Sequence, residues 1–128
     1  MKIYCSVSLG ELIDKLTILE IKIERINDIT KVENAKNEHE QLTLQLNELN
    51  LDNKENLSNL RGELKQINEK LWVIEDDIRL KESDNVFDQE FIDLARSVYI
   101  TNDQRFEVKN SINMGYNSEI KEVKSYKG

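Results

Sequence analysis

Residues 57–78 read LSNLRGELKQINEKLWVIEDDI, and their apolar spacing decides the fold. Leu57, Leu60, Leu64, Ile67, Leu71, Ile74 and Ile78 recur at alternating steps of three and four through three heptads. Such a series places every one of these side chains on one face of a helix and gives a coiled-coil-like seam. A helix over about 55–83 would be roughly 43 Å long at 1.5 Å per residue. Leu71, Trp72, Val73 and Ile74 are consecutive, so at that point the helix must touch at least two neighbours.

Working outward, Leu12, Leu16, Leu19, Ile23 and Ile26 carry the same spacing, opened by Ser8 and Glu11 as a capping box with Val7 and Leu12 as its hydrophobic staple. The pattern wavers at Asn27-Asp28-Ile29-Thr30, which predicts a kink or short break. It resumes as Val32, Ala35, His39, Leu42, Leu46 and Leu49. NLDNKEN (50–56) reads as a loop, and SDNVFD (83–88) as another, with Asp88 capping the helix that follows. Phe91, Ile92, Ala95, Val98, Tyr99, Phe106 and Ile112 mark that last helix. Thr101-Asn102-Asp103-Gln104 offers a second cap inside it, and Gly115 a stop. The expectation is an all-α chain with helices at about 9–29, 32–50, 55–83 and 88–114. Alternation of Ile3, Cys5 and Val7 predicts a short strand before them, and residues 116–128 form a polar tail.

The apolar arc is broad at 16–26 and 71–80 but narrow at 35–49 and 57–67. A narrow stripe suits a pair of helices, so 32–67 is expected to form a thin hairpin arm on a thicker base. Short helices depend on tertiary contacts, so the arm or a face of the base is expected to pair with a second copy, giving a dimer.

The chain has 128 residues, no proline, four glycines, 34% charged residues and a net charge of −7. Acids spread along the chain repel a phosphate backbone, so nucleic acid is not an expected partner. No apolar run is long enough for a membrane span, and the opening residues lack a signal-peptide core. With one cysteine, Cys5, the expected setting is the reducing cytoplasm.

The charged residues fall into three clusters: Glu75, Asp76 and Arg79; Arg96, Tyr99, Asn102, Asp103 and Arg105; and Glu11, Asp14, Lys15, Glu20 and Lys22. Each alone reads as a solvated helix face, and Glu75–Arg79 as an exposed pair worth a few tenths of a kcal/mol. All three flank the broadest apolar segments, and a bundle can gather them into one pocket. The expected ligand-binding set is Asp14, Lys15, Glu75, Asp76, Arg79, Arg96, Tyr99, Asn102, Asp103 and Arg105. Arginine's planar fork suits an anionic ligand such as a sugar phosphate.

Complete catalytic sets are absent. One histidine (His39) and one cysteine exclude the usual zinc sites, and no phosphate-binding loop or nucleophile elbow occurs. No cofactor and no metal site are expected. Glu11-x-x-Asp14, Glu90-x-x-Asp93 and Glu119-x-x-Glu122 leave a second reading open, a Mg²⁺-dependent all-helical nucleotide pyrophosphohydrolase. The favoured reading is a non-catalytic binding or scaffold protein.

Four segments, GELIDKLTILEIK, LWVIEDDIR, FIDLARSVYITNDQR and the closing KSY, resemble a family of small bacterial and phage proteins of unknown function. The likeness runs from residue 7 to 126 and is weakest between about 30 and 65. It departs at NDIT (27–30), where a proline often follows the acid. Members are often met beside glycosyltransferase and surface-polysaccharide genes, so the resemblance implies a link to those systems. It implies no reaction or catalytic residue.

Overall fold

The computed structural model describes residues 1–118 and 124–125. Among the described residues four helices follow one another: α1 (Leu9–Arg25), α2 (Ile29–Asn47), α3 (Lys54–Ser83) and α4 (Gln89–Gly115). No described helix is long and apolar enough to cross a membrane.

Helix boundaries follow local polar chemistry. A helix start leaves backbone N–H groups without partners, and Ser, Asp or Asn side chains can accept from them. Ser8 accepts from Glu11 N, Asp28 from Lys31 N, Asn53 from Asn56 N, and Asp88 from Phe91 N. Ser8 thus caps α1, but the Glu11 carboxylate turns to Lys109 of α4 rather than back to the cap. Ile26 adopts an extended conformation and Asp28 opens α2, so the expected kink is a three-residue break and α1 ends before residue 29. α4 runs unbroken through Thr101-Asn102-Asp103-Gln104 and ends at Gly115. The expected strand does not form: residues 1–7 are exposed and hold neither strand nor helix. Alternation alone cannot hold a strand that lacks a neighbour to take up its backbone hydrogen bonds.

α1 is the hub, because it packs against each of the other three helices, while α2 approaches only α1 at backbone level and α3 packs along α4. The main core joins Leu9, Leu12, Ile13 and Leu16 of α1 to Leu57 and Leu64 of α3 and Ile112 of α4. Leu42 and Leu46 of α2 and Leu60 of α3 pack against it. The narrow stripes expected to make a thin arm over 32–67 therefore feed this core around α1. The two longest stretches without a buried residue are 36–56, across the end of α2 and the loop after it, and 75–100, where the end of α3 and the start of α4 form a hairpin.

At the α1–α4 crossing the backbones nearly touch. A Cβ on Gly10 would sit 2.5 Å from the Lys109 carbonyl oxygen, so only glycine fits. α4 in turn serves the start of α1: Asn113 Oδ1 accepts from Gly10 N at 2.7 Å and Ser118 Oγ from Leu9 N at 3.1 Å. Gly62, in contrast, has open space where its Cβ would be. Gly10→Ala should therefore lower stability by about 1–3 kcal/mol by forcing the helices apart, whereas Gly62→Ala should raise it by about 0.5–1 kcal/mol through helix propensity. Urea denaturation of the two variants checks the opposite signs.

The tip of the 75–100 hairpin is tied by charge. Lys81 Nζ donates to Asp88 at 3.0 Å and lies 3.0 Å from Glu90, and these partners raise its pKa. The Asp88 carboxyl is held below its ordinary value, first by Lys81 and then by the Phe91 N–H. A carboxyl depressed in the folded state stabilises above its unfolded pKa and loses that contribution as pH falls through the folded value. The raised lysine stabilises fully below its unfolded pKa and loses its share as pH rises through the folded one. Asp88→Asn should therefore show a smaller drop in Tm than the unaltered protein on going from about pH 6 to about pH 3, a span that crosses the ordinary carboxyl range. Thermal melts read by circular dichroism at the two pH values check this.

Candidate functional site

The site is built on a carboxylate with no exposed surface. Asp14 sits in the middle of α1 and is 0% exposed. A buried charge survives only when paired and hydrogen-bonded. α4 supplies Arg105, which donates from Nε to Oδ1 at 3.0 Å and from its terminal nitrogen to Oδ2. α3 supplies Asn68, whose amide donates to Asp14 Oδ1 at 2.8 Å and to Thr17 Oγ1 at 2.9 Å. The Thr17 hydroxyl donates to the Asp14 carbonyl at 2.7 Å. Lys109, one turn beyond Arg105 and nearly buried, bonds Glu11 at 2.7 Å and lies 3.9 Å from Asp14. One carboxylate thus fastens α1 to α3 and α4, and the two contacts of Arg105 fix the plane of its guanidinium.

Above this network lies a cleft of about 470 Å³. α1 contributes Ile18 and Ile21, α3 contributes Asn68, Leu71, Trp72, Glu75, Asp76 and Arg79, and α4 contributes Asn102 and Arg105. Its apolar wall comes from the consecutive residues at 71–72, which cannot all face one helix. Its polar rim comes from the acids that follow them. Glu75 and Arg79 form the expected i,i+4 pair at 3.3 Å, with the Arg79 side chain 80% exposed. The charges lining the cleft, two acids and two arginines, balance, and Trp72 gives it a flat face.

Of the ten residues singled out in the sequence, Glu75, Asp76, Arg79, Asn102 and Arg105 line this cleft, and Asp14 lies beneath it holding Arg105. Lys15 points elsewhere: it is exposed and pairs with Glu38 of α2 at 3.2 Å. Arg96 and Tyr99 are exposed on α4 and do not line the cleft. Asp103 pairs with Lys124, which also lies over the Phe106 ring. Sequence reasoning missed Asn68 and Lys109. The signal was there: Asn68 stands four after Leu64 and three before Leu71, and Lys109 three before Ile112, so both are polar residues on a buried stripe.

The carboxylate pairs considered for a metal have other occupations. Glu11 and Asp14 are taken up by Lys109, Arg105 and Asn68, while Glu90 bonds Lys81 and Asp93 accepts from Gln89. Glu119 and Glu122 lie outside the described residues. Cys5 is exposed near the N-terminus, and His39 stands 3.6 Å from Glu20, which Arg61 already holds at 2.8 Å.

Fold and site together define an all-α bundle with a charged cleft over a buried ionic network. The chain belongs to the family of unknown function DUF6165, whose family model matches residues 1–128. No curated protein and no solved structure matches it.

The network and the rim should differ sharply in weight. Asp14→Asn leaves Arg105 and Lys109 short of their counter-charge, and breaking a buried pair from one side costs about 3–5 kcal/mol. Glu75→Gln removes only an exposed pair and should cost less than about 0.5 kcal/mol. Chemical denaturation monitored by Trp72 emission, the chain's one tryptophan, separates these outcomes.

Proposed function

We propose that this chain is a non-catalytic binding protein whose cleft takes a small hydroxyl-rich ligand carrying an anionic group, of the sugar-phosphate kind. The observation that carries this reading is Arg105, clamped by Asp14 and lining the cleft, because a guanidinium fixed before binding loses little freedom on meeting an anion. Arg79, on its exposed rim, is a second cation within the same cleft. Trp72 supplies a face for a ring to stack on, and Asn102, Glu75 and Asp76 can exchange hydrogen bonds with hydroxyls. The volume falls within the range of about 300–1,000 Å³ usual for small-molecule sites. Because acids and arginines balance, ligands dense in phosphate are disfavoured against those with one anionic group and several hydroxyls.

Apart from Asn68, the residues lining the cleft come from three of the segments that carry the family resemblance, GELIDKLTILEIK, LWVIEDDIR and FIDLARSVYITNDQR. Such a ligand is consistent with service to surface-polysaccharide or glycosyltransferase systems, where sugar phosphates are handled. The role then is capture or presentation, with partner enzymes carrying out the chemistry. The pyrophosphohydrolase reading has less support, since its carboxylates are committed to cations and amides.

Trp72 makes the test direct. Titration with hexose 1-phosphates should change its emission saturably in the millimolar range or below, with free hexose and inorganic phosphate each much weaker. Arg79→Ala and Asn102→Ala should weaken the response about tenfold each, the loss of roughly one charge-assisted or neutral hydrogen bond. A flat titration up to about 10 mM, at the edge of measurable affinity, would contradict the reading.

A further inference from the structure

The hairpin at 75–100 has no buried residue, yet it carries large apolar side chains in water. Within it Leu80 is 62% and Ile100 46% exposed, and Val73, just before it on α3, is 45% exposed. Val73 and Leu80 belong to one stripe: Lys70, Val73, Asp77, Leu80 and Asp84 follow one another at steps of three, four, three and four. All five are exposed, and Lys70, Asp77 and Asp84 have no ion pair among the described residues. The cleft uses a different side of this helix, through Trp72, Glu75 and Arg79. At 100° per residue the stripe lies on the far side of α3 from them.

The stripe is complementary to itself when reversed. Turned about a two-fold axis through Asp77, Lys70 meets Asp84 of the second copy, and Val73 meets its Leu80. Each contact then occurs twice, as an isologous interface requires. We infer that two copies of this chain pair antiparallel along Lys70, Val73, Asp77 and Leu80 of α3 and its C-cap Asp84, leaving both clefts open. This inference does not depend on the ligand proposed for the cleft. From Lys70 to the C-cap Asp84 the stripe spans about 21 Å. The area covered is at the low end for specific interfaces, on the order of 1,000 Å² in total, so association in the micromolar range is expected. The axis brings the two Asp77 carboxylates together, which sets a cost that a neutral side chain would remove.

Sedimentation velocity across about 1–100 µM, bracketing that affinity, tests the pairing with exposed-residue variants that leave the core untouched. The unaltered chain should shift from monomer to dimer. Leu80→Asp should weaken association at least about 100-fold, since it puts a charge at an apolar contact. Asp77→Asn should tighten it several-fold by removing like charge at the axis. Lys70→Glu should weaken it, and adding Asp84→Lys should restore it. Ile92→Asp, an exposed apolar position of α4 outside the stripe, should leave it within about twofold. Monomer at every concentration overturns the inference, as does a dimer that survives Leu80→Asp, fails to tighten with Asp77→Asn, or is lost with Ile92→Asp.

Discussion

A carboxylate with no surface in water must gather donors, and Asp14 gathers them from two other helices. That need orders the molecule. Asn68 fixes how α1 lies on α3, Arg105 and Lys109 fix how it lies on α4, and Gly10 lets the last two backbones approach. The apolar core around Leu16, Leu64 and Ile112 supplies most of the burial, but apolar contacts are tolerant of small rotations. The ionic network is not, because a displaced donor leaves a charge without compensation in a poor dielectric. Placing it at the centre sets one arrangement of the three helices.

The same network shapes the cleft. Arg105 belongs to both, held by Asp14 on one side and lining the opening on the other. Around it the chain turns from apolar to charged within LWVIEDDIR, so Leu71 and Trp72 form a wall while Glu75, Asp76 and Arg79 form a rim. The stretch is therefore a packed helix face and the edge of an opening at once. On the opposite side of α3 a second change of character leaves Val73 and Leu80 exposed, the latter on a hairpin that holds no buried residue.

Much of the fold was legible because it rests on periodicity and caps. The heptads at 57–78, the caps at Ser8 and Asp88, and the break near Asp28 all follow from side-chain chemistry within a few residues of chain. Partners across the chain were not legible. The narrow stripes of α2 and α3 suggested that they face each other, whereas α2 packs on α1 and α3 packs on both α1 and α4, because a stripe tells which side is buried but not against what. The candidate site divides in the same way. Charged residues beside the broad apolar arcs did gather, as Glu75, Asp76, Arg79, Asn102 and Arg105 show. Lys15, one residue from Asp14, is turned 100° from it around the helix and falls beyond the buried arc of Leu12, Ile13, Asp14, Leu16 and Thr17, where it meets Glu38 of α2. Asn68 and Lys109 were overlooked as ordinary polar residues, although a polar side chain on a buried stripe is the mark of an internal network.

The most direct measurement is a double-mutant cycle on Asp14 and Arg105. Unfolding free energies of Asp14→Asn, Arg105→Gln and the double variant give the coupling between them. If the pair organises the three helices, the single changes should each be severe and the double should cost less than their sum by a coupling of about 2–3 kcal/mol, toward the upper end for contacting residues. Additive effects within about 0.5 kcal/mol would mean that the two side chains stabilise the fold independently, and the central role given to Asp14 would fall.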